Sequence, residues 1–180
     1  MVAVPELETD RLRLRAHRIE DFGELAAVWS DPIVVRHFGG HPLTREDAWA
    51  RLLRYAGHWA LLGFGFWAIE ERDSGSYVGD IGFARFQREI EPPLPDVPEI
   101  GWVLASRVHG KGYATEAAMA VLAHGLETVG LERIIAVVMP ANVASCRVVE
   151  KAGMKFEGTA TYYGIQNLRK YVAVRESSYR

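Results

Sequence analysis

Cysteine is nearly missing: Cys146 is the only one in 180 residues. An intramolecular disulfide is excluded, and a reducing, cytoplasmic setting is expected. Neither sign of charge is in excess. Lys and Arg number 21 and Asp and Glu 23, for a net charge of −2, so no basic field draws nucleic acid to the chain. No apolar run approaches the roughly 18 residues of a membrane span. The start, Met1 to Glu6, lacks the basic end and apolar stretch of a secretion leader, and no membrane partner is expected. Repeats and low-complexity tracts are absent. Histidines number six, but His37 and His41 have no acid or thiol at a ligand spacing, so no metal is expected. What remains is 49% hydrophobic and 24% charged, ordinary for one globular domain over residues 1–180.

Periodicity orders that domain. Arg11-Leu12-Arg13-Leu14-Arg15 alternates with period two and predicts a strand with one buried face. Ile19, Phe22, Leu25, Ala26 and Trp29 recur at helical spacing until Asp31-Pro32 stops them. His37 to Pro42 reads as a loop, and Thr44-x-x-Asp47 as a capped helix start. Ala48, Leu52, Ala56, Trp59 and Ala60 continue that helix. Phe64 to Glu70, a turn at Arg72 to Gly75, and Tyr77 to Phe86 form a hairpin. Arg88 to Pro98 holds four prolines and predicts an irregular, exposed loop. A strand follows from Glu99 to Ala105, then a helix marked by Ala114, Ala117, Val121, Leu122, Leu126 and Val129. Arg133 to Met139 is a buried strand. Asn142 opens a helix that Gly153 closes, and strands near Phe156–Tyr163 and Leu168–Arg175 end the chain. The tryptophans at 29, 49, 59, 67 and 102 are placed mostly in the core. The order predicts a mixed α/β sheet with helices packed on it.

Two segments carry chemistry. After the strand Glu99–Ala105 comes Arg107-x-x-Gly110-Lys111-Gly112-x-Ala114, opening a helix. Two glycines let backbone N–H groups approach an anion unhindered, and the helix start adds free amides and positive dipole. Arg107 and Lys111 add mobile charge, and His109 is expected to face water or a phosphate. The turn is no Walker loop, lacking the Ser/Thr after lysine, and no Rossmann fingerprint, lacking a third glycine. The second segment is Asn142-x-x-Ser145-x-x-Val148-x-Glu150-Lys151-x-Gly153-Met154. Asn142 has the simple reading of an N-cap. On a helix after a strand neighbouring Glu99–Ala105, Asn142 and Ser145 would instead reach an extended ligand.

Together with Glu8 to Arg15 and Glu99-Ile100-Gly101-Trp102, these segments resemble the GCN5-related N-acetyltransferases (GNAT), in particular the RimJ/RimL-like ribosomal-protein N-terminal acetyltransferases. The likeness covers nearly the whole chain. It implies the GNAT fold, an α/β arrangement with a mixed, mostly antiparallel seven-stranded sheet, splayed central strands and about four packed helices. It implies acetyl-CoA as cosubstrate. The pyrophosphate would lie on the amides of Gly110, Lys111, Gly112, Tyr113 and Ala114, with Thr115 and Arg107 assisting. The pantetheine arm would run along Val103 and Leu104, held by Asn142, with Ser145 near the sulfur. The acceptor would be a protein N-terminus or a small amine, and a homodimer is expected.

The reaction sets its own demands. An amine with a pKa of about 8 to 10 is protonated at neutral pH and must lose a proton before it attacks. Glu99, opening the donor strand, is the best carboxylate for that role. A strand N–H such as that of Val103 would stabilise the developing oxyanion. Many family members carry a tyrosine acid seven residues after the asparagine. Here that position is Val149, so Ser145 is assigned as acid, with Tyr162 and Tyr163 as substitutes. Cys146 lacks a His–acid arrangement and reads as core rather than nucleophile. The acceptor pocket is drawn from Trp29, Phe38, Phe83, Tyr162 and Tyr163, with Asp31, Asp47, Asp80 and Glu91 as acids of unknown placement. Three rivals stand beside this reading: another acyl donor such as succinyl-CoA, a catalytically inactive CoA sensor, and an ATP-using enzyme. The last lacks the magnesium ligand that it needs.

Overall fold

Local signals fix the helical layer. In the computed structural model, Thr44 accepts from the N–H of Asp47 while the Asp47 carboxylate accepts from the N–H of Thr44, a complete capping box at the start of helix α3 (Arg45–Leu62). Gly63 ends it in the left-handed region at φ 73°, which costs glycine nothing. Helix α1 (Phe22–Ser30) is preceded by a short 3-10 turn at Ile19–Asp21. Asp31 does more than stop α1. Its side chain accepts from the N–H of Ile33 and starts a one-turn helix α2 (Pro32–Val35), with Pro32 at the first position, where its missing N–H is not needed.

The structure describes residues 3–176; Met1, Val2 and residues 177–180, which the single-domain reading also includes, lie outside the described residues. The strands are β1 (Leu7–Glu8), β2 (Leu12–Arg15), β3 (Phe66–Glu71), β4 (Tyr77–Ala84), β5 (Glu99–Leu104), β6 (Arg133–Val138), β7 (Lys155–Tyr162) and β8 (Ile165–Val174). They form one sheet in the order β1-β2-β3-β4-β5-β6-β8-β7. Only β5 and β6 pair in parallel. The sheet has eight strands rather than seven, because Leu7 and Glu8 fold back on Leu14 and Arg13 as a two-residue edge.

Helix α4 (Tyr113–Ala123) and helix α5 (Val143–Lys151) complete the layers. Alternation along β4 sorts the two faces. Ile81 and Phe83 point to the side of α4, whose continuation passes through a π-type turn at His124–Thr128. A Cβ at Gly125 in that turn would sit 2.7 Å from the Phe83 ring. Asp80 and Gly82 point to the side of α1 and α3, where Trp29 donates to Asp80 and Tyr55 stacks on Phe66 at 4.5 Å. Trp29, Trp59 and Trp67 are buried as expected. Trp102 is half-buried, and Trp49 is exposed with its edge against Phe22.

Candidate active site

Strand β5 is paired fully on one side and hardly at all on the other. Its register with β4 runs from Gly79↔Leu104 to Ala84↔Glu99. With β6 it shares only Glu99↔Ile135, where the Ile135 N–H donates to the Pro98 carbonyl at 3.0 Å. Past that point the strands part and leave an open slot in the sheet. The strands are parallel, so their C-terminal ends, and the helix starts that follow, lie at the same edge of the slot. Ligands of open α/β sheets sit at such an edge.

The register corrects one expected donor. Ala105 donates to the Val78 carbonyl at 2.9 Å, and alternate residues of an antiparallel strand bond to the same side. Val103 therefore turns its peptide groups toward β4, and a Cβ on Gly79 would lie 2.2 Å from the Val103 oxygen. Trp102 and Leu104 are the residues whose peptide groups face the slot. The Leu104 carbonyl is taken there by Nε2 of His109 at 2.9 Å. His109 thus closes the strand end rather than facing water or phosphate.

The glycine turn engages one of the expected amides, since the Lys111 N–H donates to the Val108 carbonyl at 3.3 Å. Gly110 and Gly112 have φ of 81° and 83°, conformations that need glycine. No side chain caps α4 at Gly112, so the first N–H groups of the helix, at Tyr113, Ala114 and Thr115, have neither an internal partner nor a cap. The loop is braced from β2. Arg11 forms an ion pair with Glu116 at 2.6 Å and donates to the Lys111 carbonyl at 2.9 Å. Thr9 donates to the other Glu116 oxygen at 2.6 Å. Burial pushes the Glu116 carboxyl up, and the bonds from Thr9 and Arg11 more than offset it. Tyr113 donates to Glu71, which lowers the Glu71 carboxyl, and Lys111 lies 3.9 Å from the same acid. Arg107 departs from its expected place at the phosphates: its guanidinium donates to the Tyr77 carbonyl and lies 3.4 Å from Glu24.

At the start of α5, the Asn142 side chain accepts from the Ser145 N–H at 3.1 Å. Asn142 is therefore an N-cap, with its amide NH2 still free. Ser145 is half-buried at the slot edge, while Cys146 and Val149 are buried as core. Among the described residues, no group of three or more His, Cys, Asp and Glu could hold a metal.

Glu99 closes the base of the slot. It is 7% exposed and paired with Arg88, whose side chain arches in from the proline-rich loop. Burial raises the Glu99 carboxyl above its usual value, and the Arg88 guanidinium opposes that rise. Arg88 lies over the rings of Phe86 and Tyr162. The loop is tied down by Glu91, whose peptide groups bond Thr161 of β7 in both directions. It encloses a cavity of about 270 Å³ that reaches Glu99 and Ile135.

The expected acceptor residues fare unevenly. Trp29 and Phe38 pack edge to face at 5.3 Å, on the same side of the sheet as Glu99. Tyr162 stands beside Arg88, and Tyr163 is 86% exposed at the hairpin tip. Phe83 is fully buried on the opposite face, because its parity in β4 turns it toward α4, so it lines no pocket. Of the acids, Asp31 caps α2 and accepts from Ser106, and Asp47 completes its capping box. Asp80 is fully buried with His17, Tyr77 and Trp29 as partners. Glu91 is exposed. Sequence reasoning missed Arg11, Glu116, Arg88, His17 and Asp80 as partners. Arg11 and Glu116 both stood in quoted motifs, yet their sequence separation hides the pairing.

Residues 11–155 match the family model described as "Acetyltransferase (GNAT) domain". The chain belongs to the GNAT acetyltransferase family. It is 34% identical over 152 residues, 84% of each chain, to the uncharacterized N-acetyltransferase YnaD of Bacillus subtilis. A solved acetyltransferase from Agrobacterium tumefaciens superposes with a TM-score of 0.80 at 28% identity, over 95% of both chains. A spermidine N-acetyltransferase from Vibrio cholerae, solved in complex with CoA and spermine, has a TM-score of 0.72 at 17% identity. That likeness covers 93% of this chain and 97% of that one, and is of fold alone. The acetyltransferase described here is thus an enzyme of the acyltransferase class, with one mostly antiparallel open sheet.

Proposed function

We propose that this acetyltransferase moves the acetyl group of acetyl-CoA directly to a primary amine held on the Glu99 face of the sheet. The observation that carries the reading is the slot between β5 and β6, which opens past a single register pair beside an uncapped helix start. The amides of Gly110, Gly112, Tyr113, Ala114 and Thr115 suit a pyrophosphate, since they offer fixed donors and the positive end of α4 at no further folding cost. Lys111 adds charge. The peptide groups of Trp102 and the N–H of Leu104 are free to pair with an extended amide-containing arm, as an added strand would, while the Leu104 carbonyl is held by His109. The NH2 of Asn142 can donate to the same arm.

Bound acetyl-CoA supplies an activated acyl carbon and a thiolate leaving group. Glu99 accepts the proton of the incoming ammonium, directly or through a water in the cavity. Its raised carboxyl is better matched to that task than an exposed one. Arg88 keeps the buried carboxylate ionised between turnovers. The Trp102 N–H faces the slot and is the donor best placed for the developing oxyanion. Ser145 donates to the departing sulfur, a modest role because a thiolate needs little acid help. The intact Glu99, Asn142 and Ser145 weigh against an inactive sensor. The Rim-like branch rests on the motif resemblance.

The test is a continuous thiol-release assay with acetyl-CoA and succinyl-CoA against short peptides, polyamines, aminoglycosides and amino acids. Release tied to one acceptor class, and lost in Glu99→Gln, supports the reading. Acetyl-CoA binding by calorimetry without release from any amine would favour the sensor. Absence of both binding and release would overturn the pyrophosphate assignment.

A further inference from the structure

On the face that carries Glu99 and Gly101, Glu99 and Asp80 are paired with Arg88 and His17, and three bases of α3 are not paired. Arg51, Arg54 and His58 follow one another at helical spacing on α3. Among the described residues none of the three has an acidic partner within ion-pair distance. Arg51 Nε and His58 Nδ1 are buried with no hydrogen-bond partner, a costly state for polar atoms without a ligand. Burial and mutual repulsion push the Arg54 guanidinium and the His58 imidazole down. The Arg51 guanidinium carbon lies over Trp29, 3.6 Å from the ring centre. Phe38 packs edge to face on the same Trp29.

The cluster is next to the slot. Tyr55 and His58 both pack on Phe66. The Phe66 ring lies over Gly101, where an added Cβ would meet it at 3.6 Å. Gly101 sits on β5 two residues from Glu99, with no side chain to bar the way. On the same face, Asp80 is committed to internal bonds with His17, Trp29 and Tyr77.

Resting on the acetyltransferase reading above, we propose that the acceptor is a primary amine that carries a carboxylate, which Arg51, Arg54 and His58 receive while the amine reaches Glu99. A free amino-acid derivative and a peptide with an acidic residue beside its N-terminus share this chemistry.

The experiment compares matched pairs in the thiol-release assay: amino acids against their amides, peptides with Asp or Glu at the second position against Asn or Gln, and spermidine as a polycation. The acid member of one pair is expected to exceed its neutral partner at least about tenfold in kcat/KM, mainly through KM, as a charge-assisted contact would give. Arg51→Met and the exposed-site variant Arg54→Gln should each shrink that ratio, and Arg51→Lys should restore part of it. The ratio is taken within each variant, so a general loss of activity cancels. Which pair responds separates free amino acid from peptide. Equal rates for acid and amide, or a preference for spermidine, would overturn this proposal and leave the acetyltransferase reading standing. No turnover of any amine by the wild-type protein would overturn both.

Discussion

Two glycines that face the same side of the sheet should answer an added methyl group in opposite ways. At Gly82 a Cβ would lie 2.2 Å from the Gly65 carbonyl oxygen and 2.4 Å from the Phe66 Cα. Both are backbone atoms at the neighbouring strand β3 and cannot rotate aside. Ordinary contact begins at 3.4 Å, so the first gap must open by 3.4 − 2.2 = 1.2 Å. That displacement falls on the β3–β4 pairing Phe66↔Gly82, inside a close-packed interior. Overpacking of this kind costs about 1–3 kcal/mol. For a domain of this size each kcal/mol is worth about 2–4 °C in Tm, so Gly82→Ala should melt about 2–12 °C below the parent. At Gly101 the added Cβ meets only the Phe66 ring, at 3.6 Å, and Gly101→Ala should keep its Tm within about 2 °C. Because Gly101 lies on the acceptor face beside Glu99, that variant should nevertheless lose activity. Thermal unfolding by circular dichroism reads the first effect and thiol release the second. A Gly82→Ala protein as stable as the parent, or a Gly101→Ala protein as unstable as Gly82→Ala, would refute the packing argument.

Three further outcomes are expected. Glu99 works as a base only when ionised, so activity should rise with pH through its elevated pKa. Arg88→Gln, by removing the opposing cation, should move that limb to higher pH in a kcat/KM profile, and an unmoved limb would assign it to another group. Ser145→Ala should lower kcat roughly tenfold to a hundredfold yet leave α5 intact, because the cap is the Asn142 side chain; full activity would remove Ser145 from the reaction. Asp21 is buried, which pushes its carboxyl up, but bonds from Arg15 and the Arg18 amide carry it below the usual value. Its stabilisation is thus present above about pH 4 and lost as pH falls through the depressed pKa. Asp21→Asn, which leaves Arg15 with Glu70 as its remaining acid partner, should cost up to about 3–5 kcal/mol at neutral pH and much less in acid, as urea unfolding at the two pH values would measure.

Residues that make their structure locally could be read from the chain. The Thr44–Asp47 box, the Gly153 stop and the alternation of β2 depend on neighbours a few positions away, and each stands where the sequence signals put it. Phe83 failed for a definite reason. A strand buried on both faces has no polar side to betray its parity, and in β4 every residue is buried, so the sequence could not say which face Phe83 takes. The same holds for Val103, whose peptide direction follows from the register with β4 and not from its identity. Arg107 was misread because proximity in sequence to the glycine turn was taken for proximity of its charge, whereas the side chain bonds back to Tyr77.

Charge partnership was the least legible property, and it bears most on substrate choice. A net charge of −2 averages over pairs such as Arg11–Glu116, Arg15–Asp21 and Arg88–Glu99, whose members are far apart in the chain or folded together only by the sheet. Beside those pairs, Arg51, Arg54 and His58 of α3 stand near Gly101 with no acidic partner among the described residues, while Asp80, on the same face, is satisfied by His17 and Tyr77. A nearly balanced composition therefore coexists with a local cluster of bases on α3, which residue counts alone do not reveal. On the carboxylate-acceptor proposal, selectivity follows from which charges are left over after folding, and an acid-over-amide preference that shrinks in Arg51 and Arg54 variants is the form that remainder would take in a rate.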